Sequence, residues 1–260
     1  MLIIRWRLII KVIAITGKGG TGKTAVAAML IQLAKKKSPV LAIDADPDTN
    51  LPTTLGDKVE CTVGQMRESM LEQKDNLPSD INKESILEGR IYNALLEKPG
   101  YDLLVMGRPD GLGCYCYANN LLKGIMDRII KNYEVVIIDT AAGLEHFSRG
   151  IIRDITDLLI VTDASKNGFE TAQRIRDLIV ELNLNIKHVW IVPNKVTEKN
   201  RKQVEEYIKE LNITPAGIIP FDETLAQLNL EGKPLTDLPD DSPSAIRITD
   251  IARKIELVRV

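Results

Sequence analysis

The stretch that most constrains this chain is Gly17-Lys18-Gly19-Gly20-Thr21-Gly22-Lys23-Thr24. It fits the phosphate-binding pattern G-x-x-x-x-G-K-[ST]. The apolar run from Val12 to Ile15 precedes it and reads as a buried strand. The good helix formers from Ala25 to Ala34 follow it. This strand–loop–helix context separates a phosphate cradle from a glycine-rich turn with a chance lysine. Glycines let the backbone turn tightly and bring N–H groups against phosphate oxygens. The helix start adds a favourable field for an anion. Lys23 is expected to reach the β- and γ-phosphates, and the Thr24 hydroxyl to ligate Mg²⁺.

The rest of the chain repeats the alternation. Val40–Asp44, Leu103–Met106, Val135–Asp139, Leu158–Thr162 and Val189–Val192 are short apolar runs, and Ile218 with Ile219 closes another. Helical periodicity fits Asn119–Ile130, Phe169–Leu182, Glu198–Leu211 and the terminal Ala245–Leu257. Continuous apolar strands between amphipathic helices predict an α/β fold, a mostly parallel central sheet with helices on both faces. Thr62–Ile91 is less regular and is expected to carry helices outside the core pattern. Leu235–Pro243, with two prolines and three aspartates, reads as a loop. Residues 11–260 read as one domain of the P-loop NTPase type. Residues 1–10, apolar with Arg5 and Arg7 interleaved, read as an extension of unknown role.

A formal net charge of −2 argues against a general nucleic-acid binder. Three cysteines are too few for a disulfide scaffold, so a reducing, cytoplasmic setting is expected. No apolar run is long enough to span a bilayer, and no stable membrane association is expected. The apolar face of the terminal helix, Ile248, Ile251 and Ile255, reads as a packing face.

Lys18, directly after the first glycine, makes the loop resemble the deviant Walker A loop of the MinD, ParA and nitrogenase-iron-protein class. That resemblance implies an ATPase that closes as a nucleotide-sandwich homodimer. It implies that Lys18 crosses to the partner's nucleotide and steadies the transferring phosphoryl group. The spacing Asp44-x-Asp46-Pro47, at a strand end where open α/β sheets bind ligands, resembles switch I of the same class. By resemblance, Asp46 orients the attacking water and Asp44 helps hold the metal's water shell. Asp139, closing Val-Val-Ile-Ile-Asp, resembles a Walker B aspartate that holds Mg²⁺ directly or through water. Thr140-Ala141-Ala142-Gly143 resembles switch II, where a glycine N–H senses the γ-phosphate. Adenine is expected at Asn194, whose amide suits the base's donor–acceptor edge, with Pro220, Phe221 and Asp222 flanking the ring.

The most distinctive segment runs from Met106 to Asn120 and holds Cys114-Tyr115-Cys116. Two thiols one residue apart can grip one metal, but a structural site usually needs four ligands, and a two-fold dimer supplies the other two. Four thiolates favour a soft or borderline ion, Ni²⁺ or Zn²⁺. The segments M-G-R-P-D-G-x-G-C-Y-C-Y-x-N-N-L-L and D-T-A-A-G-L-E-H-F-S-R resemble the CooC-type accessory ATPases of carbon monoxide dehydrogenase maturation. The resemblance implies a homodimer that binds nickel through Cys114 and Cys116 at its interface. It also implies carbon monoxide dehydrogenase apoenzyme as client. The chain departs from that pattern at residues 1–10. Two alternatives are a MinD- or ParA-like positioning ATPase, which needs neither cysteine, and an iron–sulfur cluster carrier, whose relatives generally use C-x-x-C. Cys61 and His146 read as structural residues, and His188 carries no signal.

Overall fold

The computed structural model describes residues 10–72, 83–108, 116–143 and 154–258. Its strands are β1 (Lys11–Gly17), β2 (Val40–Ala45), β3 (Leu96–Lys98), β4 (Tyr101–Val105), β5 (Val135–Thr140), β6 (Ile155–Thr162), β7 (Ile186–Pro193) and β8 (Thr214–Pro215). Its helices are α1 (Lys23–Ala34), α2 (Leu51–Leu55), α3 (Val63–Glu72), α4 (Lys83–Asn93), α5 (Cys116–Ile130), α6 (Lys166–Glu181), α7 (Arg201–Leu211), α8 (Glu223–Glu231) and α9 (Pro243–Lys254). The strands form an 8-stranded sheet in the order β3-β4-β2-β5-β1-β6-β7-β8. Every pairing of these strands is parallel except β3 with β4. The expected α/β architecture is therefore present.

The pleat explains why the central strands are apolar throughout. Along β1, Val12 and Ala14 pack into one core layer, while Ile13 and Ile15 pack into the layer on the other face. Helix α1 is buried on nearly every side, from Ala25 to Ile31, which suits a helix wedged between the sheet and other helices. One of those helices is α9, whose Ile248, Ile251 and Ile255 join the same core layer as α1. The expected packing face of the terminal helix is thus spent inside the fold. Among the described residues, no helix is long and apolar enough to cross a membrane.

Three expectations change. The strand expected at Ile218 and Ile219 lies earlier, at β8. The Ile219 N–H donates to the Pro193 carbonyl at 2.8 Å, and its carbonyl accepts from the Val196 N–H at 3.1 Å. These residues lace the end of β7 instead of lengthening a ladder. The expected loop Leu235–Pro243 holds a 3-10 turn, Leu235–Asp237, whose Leu235 is buried, and its last residue opens α9. Helix α6 starts at Lys166, ahead of Phe169, because the Ser165 side chain caps it by accepting from the Gly168 N–H.

Candidate functional site: a braced phosphate loop at the strand ends

The C-terminal ends of β1, β2, β5 and β7 bring the expected site residues to one edge of the sheet, the usual ligand edge of an open parallel sheet. At the end of β1, Gly17 has φ +143°, and a Cβ there would collide with the Val161 carbonyl of β6. The loop leaves β1 through a gap only glycine fits. Gly22, at φ +95°, opens α1 and offers its helix no side-chain cap. Helices α6, α8 and α9 all start with a capping side chain, from Ser165, Asp222 and Ser242. The first-turn N–H groups of α1 are therefore left for an anion. Within the loop, the Thr21 hydroxyl donates to the Lys18 carbonyl at 2.8 Å. The loop forms the floor of a cleft of about 440 Å³ that Gly19, Gly20, Gly22, Lys23 and Thr24 line. Lys23 is buried. Lys18 is half-buried and is not among the cleft's lining residues.

The carboxylates separate into distinct roles. Asp46 lines the cleft, and its Oδ1 accepts from the Asp48 N–H at 3.0 Å. Asp44 is fully buried behind it. Its two oxygens accept from the Asp46 and Leu51 N–H groups, each at 3.0 Å, so it ties down the loop between β2 and α2. Burial pushes its pKa up to about 6, against those two hydrogen bonds. Asp139 is opposite Asp44 in the β2–β5 register and is equally buried. Both its oxygens lack a hydrogen-bond partner. Burial pushes it up to about 7; the Thr24 hydroxyl and the Lys23 ammonium pull it back, without either completing a hydrogen bond, and Asp44 and Asp46 push it further up. A buried, unpartnered carboxylate beside a hydroxyl and a phosphate loop fits a hard cation with oxygen ligands, such as Mg²⁺. Past Asp139, the Thr140 hydroxyl donates to the Ile15 carbonyl and the Thr16 hydroxyl to the Gly143 carbonyl, each at 2.8 Å. The start of the segment resembling switch II is thereby tied to β1.

The residues expected around adenine do not stay together. Asn194 does line it, but its amide N–H donates to the Thr21 carbonyl at 2.8 Å and its Oδ1 accepts from the Lys195 N–H at 2.9 Å. Pro220 and Asp222 are not among the lining residues. Pro220 makes a β-bridge with Val196. Asp222 is a buried double cap, accepting from the Leu225 N–H at 3.1 Å and the Ser244 N–H at 3.0 Å. Those bonds hold its carboxyl below the usual carboxylate range against the cost of burial. The expectation that Asp222 flanks adenine is replaced by this capping role, which an Asp directly ahead of a helical run signals in the sequence. The walls beyond the loop come from Thr53 and Thr54 of α2 and from Leu225 and Asn229 of α8, with Lys195 and Lys233 beside them. None of these six was anticipated. Only Lys195, adjacent to Asn194, carried a local hint.

Cys114 and His146 lie outside the described residues, and Cys116 is the first residue of α5. Cys61 is half-buried. Among the described residues, no group of three or more His, Cys, Asp or Glu side chains could hold a metal ion.

With this geometry in view, similarity to known proteins becomes informative. The model of the CobQ/CobB/MinD/ParA nucleotide binding domain matches residues 12–235. The chain belongs to this family. It is a MinD/ParA-type nucleotide-binding ATPase, and the matched range contains the phosphate loop. It is 44% identical over 247 residues to an uncharacterized ATP-binding protein of Methanocaldococcus jannaschii, covering 94% of this chain and 98% of that one. It is 30% identical over 240 residues to the carbon monoxide dehydrogenase accessory protein CooC of Rhodospirillum rubrum, covering 87% of this chain and 89% of that one. In fold it resembles the septum site-determining protein MinD of Pyrococcus horikoshii, solved in complex with Mg-ADP. That match has a TM-score of 0.69 at 20% identity and covers 97% of this chain and all (100%) of that one.

Proposed function

We propose that the protein is an ATP-dependent metallochaperone: a homodimer, gated by ATP, that carries nickel for insertion into the nickel–iron–sulfur cluster of carbon monoxide dehydrogenase. The observation that carries this reading is the pairing of an uncapped phosphate loop with Cys114-x-Cys116 in a chain similar to a CooC protein along most of its length. In the site, Lys23 and the first N–H groups of α1 bind the phosphates, while Thr24 and Asp139 hold Mg²⁺. The cation supplies charge neutralisation at the β- and γ-phosphates. Asp46 accepts a hydrogen bond from the attacking water and orients it in line with the γ-phosphate. Lys18, which does not line its own cleft, serves the partner subunit's nucleotide. Closure brings the two cysteine pairs together around one metal ion. Hydrolysis then removes the γ-phosphate contacts of the two switch segments and loosens that cage. Turnover is slow and depends on dimerisation.

The competing reading is a positioning ATPase, favoured by the MinD-like fold. A membrane-binding role for the terminal helix sits poorly with it, because Ile248, Ile251 and Ile255 are buried. The test is nickel and zinc binding per subunit, with ATP or ADP, for the wild type and for Cys114→Ser/Cys116→Ser. The metallochaperone binds about one metal per two subunits, as a two-fold site requires. It does so in a nucleotide-dependent way, and the double variant loses the metal. Unchanged binding in the variant, or none in either protein, overturns the metal reading in favour of the positioning ATPase.

A further inference from the structure

We propose that the corner Asn194–Lys195, between β7 and the bridge at Val196, is a brace that holds the phosphate loop in its binding shape before nucleotide arrives. Both residues are then positioning residues for the phosphates. The inference rests on the nucleotide-site reading above and adds to it what keeps that site formed.

Two successive loop carbonyls are pinned from this corner. The Lys195 ammonium donates to the Gly20 carbonyl at 2.9 Å, and the Asn194 amide donates to the Thr21 carbonyl at 2.8 Å. In a trans peptide the C=O and the following N–H point in opposite directions. Fixing the Thr21 oxygen toward Asn194 therefore turns the Gly22 N–H to the other side of its peptide plane. Pinning the Gly20 oxygen stops the Gly20–Thr21 peptide plane from turning an oxygen toward incoming phosphate, which would repel it.

The corner is built for this contact. Lys195 has φ +59°, a left-handed backbone that residues other than glycine seldom hold. Its N–H donates to the Asn194 Oδ1 at 2.9 Å, and the Asn194 N–H donates to the Thr162 carbonyl at the end of β6 at 2.7 Å. The Asn194 amide is buried and occupies the space that a Cβ on Gly22 would need, at 2.5 Å. The phosphate loop of β1 is thus locked against the ends of β6 and β7, while the Lys195 side chain stays exposed. A loop ordered in advance loses less entropy on binding, and the gain appears as affinity.

The test uses the full chain and three probes: Mg-ATP, Mg-GTP and magnesium tripolyphosphate, which has no base. Lys195→Met is expected to weaken ATP and tripolyphosphate by the same factor, about tenfold for a lost charge-assisted hydrogen bond. The ratio of ATP to GTP affinity stays unchanged. So does the melting temperature of the ligand-free protein, to within about 2 °C, because the side chain is exposed. Lys195→Gly, which suits the left-handed backbone, gives the same loss without strain. Weaker ATP binding with unchanged tripolyphosphate binding, or a shifted ATP-to-GTP ratio, overturns the brace and makes Lys195 a base reader. Unchanged affinity for all three probes overturns it outright. A wild-type protein that binds neither ATP nor tripolyphosphate overturns the nucleotide site itself, and the brace with it.

Discussion

Asp44 and Asp139 stand opposite each other at the ends of adjacent strands, equally buried and both pushed up in pKa by that burial. They nevertheless do opposite things. Asp44 is saturated by two backbone N–H groups, and it shapes the loop that carries Asp46. Asp139 accepts no hydrogen bond. A fold seldom leaves a buried carboxylate without partners, because desolvation then goes uncompensated. The difference teaches that position on the sheet does not assign a role; what already bonds the carboxylate does. The satisfied aspartate is a structural tie, and the unpartnered one suits the cation role proposed above.

Four measurements press on that contrast. Asp139→Asn should give the largest effect, a fall in ATP turnover of about 10³-fold, because the metal's charge stabilisation is lost. The same substitution should raise the stability of the ligand-free protein at pH 8, by on the order of 2 kcal/mol in urea unfolding, since a buried charge is removed. A destabilised Asp139→Asn protein would mean that the carboxylate is satisfied after all. The second measurement is the pH dependence of ligand-free stability. Both aspartates have folded-state pKa values above their ordinary value of 3.8, at about 6 and about 7. Between about pH 4 and pH 7 the folded chain therefore binds more protons than the unfolded chain. Stability is fully present at the acid end and declines as pH rises through that window, by on the order of 7 kcal/mol for the pair. Asp139→Asn should flatten most of the slope, and Mg-ATP should do so in the wild type. A slope that survives both would locate the titration elsewhere.

Asp222→Ala tests the cap that replaced an expected base contact. Loss of two buried acceptor bonds should cost about 2 kcal/mol in thermal unfolding and leave the ATP-to-GTP preference unmoved. A changed preference would return Asp222 to the base site. Asp44→Asn should have the smallest effect. It keeps one acceptor oxygen, so the expected loss is about 1 kcal/mol of stability and about tenfold in turnover, through a loosened Asp46. A loss as large as that of Asp139→Asn would erase the contrast between the two aspartates.

What was legible in the sequence follows from how local each signal is. The phosphate loop was readable because glycine backbone chemistry is written into consecutive residues, and Gly17 and Gly22 do sit where a Cβ would collide. The central strands were readable because burial on both faces makes them continuously apolar, as in Val135–Thr140. The edges were not. Leu96–Lys98 is three residues long with a charged centre, and β8 contains a proline, so neither resembles a core strand. Ile218 and Ile219 looked like a strand because they are apolar, yet the pairing beside them is a single parallel bridge, Val196 with Pro220, and not a ladder. At the site, Asp44, Asp46 and Asp139 were found as a set. Which of them is satisfied depends on contacts such as Asp44 to Leu51, which a linear reading does not contain. The Lys195 contact with Gly20 spans 175 positions and is equally invisible to spacing.

The sheet's borders have a consequence for the protein at high concentration. One border is a three-residue antiparallel strand and the other a two-residue strand that includes Pro215. Among the described residues, each offers few open backbone donors for another chain to extend, which disfavours strand addition at these borders. Self-association is thereby steered away from strand addition.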